Sequence, residues 1–155
     1  MDSSRPSGVP SGIVIAHPIR LCKGDDLVSS MEKAALSAMA KSGTSSAFVL
    51  TAVGSLESVV LRMANASNAD GVCVNEVKEW KERLEIVSLV GTFSREGKHL
   101  HMSVSDGKGN VFGGHVMSGT IFTTLELVIG VILDVDFSRV QDPATGYKEL
   151  VVNPN

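Results

Sequence analysis

The strongest constraint on the fold of this chain is a strand–turn–strand pattern in residues 99–116. From His99 to Ser105 polar and apolar side chains alternate, which is typical of a β-strand with one buried face. The next five residues, DGKGN, are a dense cluster of turn formers, and the chain then resumes with VFGGHV. The pattern predicts a β-hairpin with two antiparallel strands.

A hairpin that is symmetric about Lys108 sets Val104 opposite Phe112 and His101 opposite His115. Residues directly opposite each other in an antiparallel pair have Cβ atoms about 5 Å apart. A bulge in the diglycine before His115 would shift this register by one residue and separate the pairs, so both registers stay open. On the symmetric register, one face of the hairpin is apolar and consists of Leu100, Met102, Val104, Phe112 and Val116.

The opposite face of the symmetric hairpin carries three of the four histidines of the chain, His99, His101 and His115. Three imidazoles on one rigid surface can bind zinc at distances of about 2.0–2.1 Å and leave a fourth position open. Copper, iron and nickel also accept imidazole ligands. The alternative is three hydrogen-bonded histidines on a half-exposed strand. On the residues alone both interpretations stay open. The metal interpretation predicts one divalent ion per chain, zinc, with an affinity that falls as protons compete for imidazole near a pH of about 6.5.

The remaining chain predicts one helix and several strands. The helix follows Asp25-Asp26, which can cap it, and ends at Gly43. A turn is predicted at Gly54-Ser55, a charged connection around Trp80, and either an edge position or a bulge for the strand that contains Pro18. Predicted strands outside the hairpin cover residues 13–21, 47–53, 57–64, 72–77, 84–90 and 147–152, with one or two more in 120–135. These elements define an α+β fold with a mostly antiparallel sheet of about seven or eight strands and one main helix.

Composition restricts the class of protein. With 155 residues and 43% hydrophobic content, the chain is expected to form a single domain over residues 13–155 after a flexible leader, residues 1–12. The net charge of -3 argues against a domain-wide electrostatic contact with nucleic acid, and Arg62, Arg83 and Arg95 are scattered. Two cysteines without paired or metal-binding spacing predict reduced thiols in an intracellular protein, cytoplasmic rather than nuclear. The apolar segments are too short or too interrupted to span a membrane.

No sequence pattern identifies a catalytic group or an organic cofactor. The phosphate-binding loop, the dinucleotide fingerprint and the nucleophile elbow do not occur. Asp106, Glu57 and Glu126 could transfer protons beside a metal-bound water, but their positions are equally typical of a turn aspartate and two solvated strand glutamates. His17 is isolated and is interpreted as a polar residue at a strand irregularity. The sequence therefore favours a non-enzymatic role and leaves any substrate unknown.

Several segments of the chain agree in order and spacing with one family. The chain resembles the PPC (plants and prokaryotes conserved) domain across residues 19–152. A segment that usually reads RFEI in the family is RLEI here, from Arg83 to Ile86. The matching segments are IRLCKGDDL, AVGSLESVVLR, ERLEIVSLVGTF, LHMSVSDGKGNVFGGHVMSGTI and DFSRVQDPATGYKEL.

The resemblance implies a compact α+β domain that assembles as a homotrimer. Stand-alone prokaryotic members carry a similar H-x-H…G-G-H pattern, associated in some with a bound metal, and here it reads HLH at 99–101 and GGH at 113–115. In plant members the domain mediates self-association and contacts with transcription factors. The R-G-R-P core of their AT-hook is absent here. The expected function is an oligomerisation and protein-interaction module with a three-histidine metal site. The alternatives are a DNA-binding regulatory protein and a metal-dependent enzyme.

Overall fold

The computed structural model describes residues 10–64, 67–69 and 72–154, so residues 1–9 of the predicted leader lie outside it. The predicted α+β class is confirmed. The described residues contain one helix and ten strands, more than the seven or eight expected. In chain order these are β1 (Val14–Cys22), α1 (Leu27–Ser42), β2 (Ala47–Arg62), β3 (Ser67–Ala69), β4 (Val72–Val74), β5 (Val77–Trp80), β6 (Leu84–Ser94), β7 (Gly97–Ser105), β8 (Val111–Ile132), β9 (Val135–Gln141) and β10 (Lys148–Pro154).

The main sheet is organised around the 22-residue strand β8. Its six strands have the order β1-β8-β7-β6-β2-β5, and β8 additionally pairs with β2. All of these pairings are antiparallel. The pairings β2–β6, β6–β7, β7–β8 and β8–β2 therefore form a closed ring, and its fully buried side chains include Phe93, Leu100 and Leu125. The pairs β9–β10 and β3–β4 form two smaller sheets.

Helix α1 begins and ends where the sequence predicts. The Asp26 carboxylate accepts a hydrogen bond from the Ser29 backbone N–H at 2.7 Å, which satisfies one of the free donors at the first turn. Gly43 ends the helix in the left-handed conformation. The buried face of α1 packs on the same core as the sheet. No helix in the described part of the chain is long and apolar enough to cross a membrane.

The predicted turn at Gly54-Ser55 is wrong, because β2 continues through both residues. A Cβ atom on Gly54 would lie 2.2 Å from the carbonyl oxygen of Thr124. The glycine therefore allows β8 to approach β2 closely, and the register shift between Gly54 and Leu56 is a bulge rather than a chain reversal. A single sequence does not distinguish a glycine in a turn from a glycine that allows two strands to approach closely.

Two other boundaries differ from the sequence prediction. The predicted charged connection contains β5, which pairs with β2 and stacks Trp80 on Phe112 with 4.5 Å between the ring centroids. Residues 120–132 are the second half of β8, and β9, which the sequence did not predict, follows after a two-residue turn. Among the described strands β1 pairs only with β8 and without a register shift, so of the two alternatives for Pro18 the edge position is the one observed.

Candidate metal centre

The register of the β7–β8 hairpin is the symmetric one. His101 pairs with His115 and Val104 with Phe112, with no shift between them. A Cβ atom on Gly113 would lie 2.3 Å from the Met102 carbonyl oxygen. Gly113 thus lets β8 lie tightly against β7, and the alternative of a bulge in this hairpin is wrong.

The hairpin brings the imidazole rings of His99, His101 and His115 together. Their ring centroids are 4.9–5.5 Å apart, and one ring nitrogen from each residue lies within 4.8 Å of the others. Four ligands around a tetrahedral zinc ion are roughly 3.3 Å apart, given zinc–nitrogen bonds of about 2.0–2.1 Å. The largest separation exceeds this value by about 1.5 Å. Side-chain rotation can close such a gap, so the cluster has the dimensions of a three-histidine site.

Hydrogen bonding within the cluster leaves one nitrogen unsatisfied. The Nε2 atoms of His99 and His101 are 3.0 Å apart, which suits a hydrogen bond between two neutral imidazoles. The Nδ1 atom of His115 is buried and has no hydrogen-bond partner among the described residues. An unpaired buried polar atom costs about 1–3 kcal/mol. The donor set and this orphaned nitrogen together fit a bound metal ion.

The local environment keeps two of the imidazoles neutral at pH 7. Burial lowers the pKa of His115 to about 4, and the positive charge of Arg62 adds to the effect. Burial also lowers the pKa of His99, with further contributions from His101 and Arg139. Neutral imidazole is the form that binds a metal. Protons therefore compete for these two residues only below the pH of about 6.5 expected from the sequence.

Two arginines flank the histidines. The backbone pairing places Arg62 of β2 opposite His115, on the other side of β8 from His101. The Arg139 guanidinium of β9 donates a hydrogen bond to the Thr92 hydroxyl at 2.9 Å, and Thr92 pairs with His99. No sequence pattern pointed to Arg139, because β9 was not predicted. Arg62 was treated as one of several scattered arginines, and only the pairing of β2 with β8 connects it to the site.

Two cavities are each lined by two members of the histidine cluster, and a third, of about 360 Å³, contacts His115 alone among them. Of the first two, one has a volume of about 330 Å³ and contacts His99 and His115, and the other has about 310 Å³ and contacts His101 and His115. Arg62 and Tyr147 line both cavities, and the Arg62 guanidinium lies over the Tyr147 ring at 5.3 Å. The larger of the two is also lined by Glu96, Gly97, Lys98, Arg139, Lys148 and Glu149.

The other polar residues singled out from the sequence lie elsewhere. Asp106 accepts hydrogen bonds from the backbone N–H groups of Lys108 and Asn110 and from the Asn110 amide, and these bonds lower its pKa, with those from Asn110 contributing most. It is thus a turn aspartate. Glu57 and Glu126 are exposed and line neither cavity at the histidines. His17 lies 3.3 Å from the Ser42 hydroxyl, outside the cluster.

The fold and the histidine hairpin can now be compared with known proteins. The sequence profile of the Plants and Prokaryotes Conserved (PCC) domain matches residues 10–133, which is most of the chain. The chain therefore belongs to this family, and the resemblance to the PPC domain is confirmed.

Relatives of known sequence or structure agree with this assignment. The chain is 40% identical over 149 residues to the bifunctional protein GlmU of Synechococcus sp. (strain JA-3-3Ab), and it spans about a fifth of the length of the curated relatives it matches. A hypothetical protein from Salmonella superposes with a TM-score of 0.81 at 31% identity, covering 94% of this chain and 97% of that one. A metal-containing protein from Archaeoglobus fulgidus superposes with a TM-score of 0.74 at 26% identity, covering 94% of this chain and 99% of that one.

Proposed function

We propose that the domain binds one divalent metal ion, zinc, through His99, His101 and His115. The observation that carries this proposal is the set of three imidazole nitrogens within 4.8 Å of one another on adjacent strands. The orphaned nitrogen of His115 and the metal content of the related Archaeoglobus fulgidus protein add support. The ion would fix the two strands of the hairpin and offer one open coordination position.

Metal analysis of the purified protein tests this proposal. Protein prepared without chelators or a metal-affinity tag is expected to contain one zinc per chain by elemental analysis. Adding zinc to chelator-treated protein is expected to raise the melting temperature, because a ligand that binds only the folded state stabilises it. A protein that holds no metal and melts at the same temperature with and without zinc would contradict the proposal.

We further propose that the domain acts mainly as an oligomerisation and protein-interaction module, and that it assembles as a homotrimer. The support is a groove of about 510 Å³ over β1, β2 and β8. Its lining is mostly apolar, with polar residues beside it, and consists of Pro18, Ile19, Val53, Leu127, Val128, Thr51, Arg20 and Glu126. The Val53 side chain is 60% exposed. Contiguous exposed apolar side chains are typical of interaction sites, and the resemblance to the family implies a trimer.

Light scattering tests the assembly. We expect a particle of three times the 16.3 kDa chain mass at micromolar concentration. The substitution Val53→Asp is expected to produce smaller particles, because a carboxylate would lose its hydration inside the interface. Val140→Asp, at a valine of β9 that is 56% exposed, is the matched control. A stable wild-type monomer would argue decisively against the trimer.

DNA binding and catalysis receive less support from the same residues. The net charge is -3, and Arg62 and Arg139 lie beside the histidines rather than in an extended basic surface. Neither cavity at the cluster contains Asp106, Glu57 or Glu126, the residues that could have served as a general base.

A further inference from the structure

The cavity beside His99 and His115 has the features of a ligand site. We propose that it binds a small oxyanion, a molecule with a carboxylate or phosphate group, which Arg62 and Arg139 hold while one of its oxygens fills the open position of the metal. This inference rests on the proposed metal site and adds the chemical class of its ligand.

The first argument is that both guanidinium groups lack a carboxylate partner. Within the described residues, the ion pairs closer than 4.0 Å involve only Lys78, Lys81 and Lys98. Arg62 lies against the Tyr147 ring, and the Nε atom of Arg139 is buried without a hydrogen-bond partner in the described part of the chain. Burial lowers the pKa of Arg139, and the nearby charges of Glu149 and Glu96 oppose this effect without forming an ion pair closer than 4.0 Å in the described residues. An anion would supply the missing partner.

The second argument is geometric. Arg62 and Arg139 approach the cluster from two different strands, one opposite His115 and the other through Thr92 beside His99. All four of these arginine and histidine side chains line the same cavity of about 330 Å³. This volume is within the range of small-molecule sites, roughly 300–1,000 Å³. A ligand in the cavity would therefore contact the arginines and the metal position together.

The third argument is charge. The cavity is lined by four cationic side chains and two anionic ones, so the net charge of its lining is 4 − 2 = +2. The cations are Arg62, Lys98, Arg139 and Lys148, and the anions are Glu96 and Glu149. Lys98 also pairs with Glu32 at 2.7 Å, outside the lining. A monoanion or dianion matches this balance. The planar guanidinium group presents paired donors that suit the two oxygens of a carboxylate or phosphate.

The test uses the whole chain loaded with cobalt(II), whose visible absorption responds to a change of ligand. Inorganic phosphate and oxalate are titrated separately, and each is expected to produce a saturable spectral change. Arg139→Gln and Arg62→Gln are expected to weaken the binding about ten- to hundredfold, the usual loss for a hydrogen bond between charged groups. Arg83→Gln is the matched control, since Arg83 is exposed, lies over the Phe122 ring and does not line this cavity. The tighter of the two probes identifies the ligand group.

Metal content, measured in every variant, separates this inference from the metal proposal. Unchanged anion affinity in both arginine variants, or a wild-type spectrum that responds to neither anion, would overturn the oxyanion site while the metal site stands. Arg139→Lys, which keeps the charge but loses the paired donors, should bind with intermediate affinity and guards against misfolding of Arg139→Gln. If the wild-type protein holds no metal, calorimetry measures the binding of phosphate directly. Phosphate binding that weakens in Arg62→Gln and Arg139→Gln would support the anion site, and a lack of phosphate binding would contradict it.

Discussion

His101→Ala is expected to remove stoichiometric zinc binding and to leave the fold intact. His101 is the central member of the cluster, since its Nε2 atom is 3.0 Å from that of His99 and its backbone pairs with His115. Two remaining imidazoles bind zinc more weakly than three. The zinc affinity should therefore fall by more than roughly 10–100-fold, the loss that is typical when a residue that only hydrogen-bonds to a metal ligand is changed. The side chain lies on the exposed face, opposite the buried Leu100 and Met102. The unfolding free energy of the metal-free protein should therefore change by less than about 0.5 kcal/mol.

Competition against a coloured chelator measures the zinc affinity of this variant, and urea unfolding measures its stability. His17→Ala is the matched control, because it removes a histidine that lies outside the cluster. Wild-type zinc affinity in His101→Ala would mean that the three histidines are surface residues. The metal proposal would then be wrong, and the ligand proposed for the fourth position would lose its metal contact.

Gly113→Ala is expected to give the largest loss of stability among these substitutions. The added Cβ would lie 2.3 Å from the Met102 carbonyl oxygen, so β8 would have to move away from β7. Overpacking of this kind costs about 1–3 kcal/mol or more. The same displacement separates His101 from His115, because both belong to this strand pair. Zinc affinity should therefore decrease together with stability.

Urea unfolding with a parallel zinc titration checks the effect of Gly113→Ala. The control is Gly107→Ala in the hairpin turn, where an added Cβ meets nothing within 4 Å and the backbone φ is not positive. We expect this control to change the unfolding free energy by no more than about 0.5 kcal/mol. Equal stability of the two variants would show that the β7–β8 pairing yields easily to an added methyl group.

Local signals in the sequence predicted the helix and the hairpin, and they reduced the hairpin register to two alternatives. Side-chain alternation before the turn predicts which residues of β7 share a face, but whether His101 faces His115 depended on the absence of a bulge at the diglycine, which only the structure shows. The helix boundaries follow equally local signals at Asp26 and Gly43. Each of these predictions depends on residues that are close together in the sequence, within one helix or one hairpin.

The features that the sequence missed depend on contacts between distant parts of the chain. Gly54 looked like a turn residue because the strand that approaches it, at Thr124, is 70 positions away. Arg139 reaches the histidines through Thr92, which is 47 positions away, from a strand that was not predicted. Single-sequence patterns carry no information about such approaches, so the arginines and the cavity became visible only in the folded chain.

The long strand β8 also determines when the sheet can form during synthesis. β1 pairs only with β8 among the described strands, and the first residue of β1, Val14, pairs with Ile132. Because the chain emerges from the ribosome amino end first, β1 must wait for more than a hundred further residues before its partner exists. Such distant pairings are typical of slowly folding proteins. The side chain of Leu21, which is buried in the folded chain and pairs with Leu125, and the unpaired backbone of β1 are therefore exposed to other nascent chains, or to chaperones, until that part of β8 has been made.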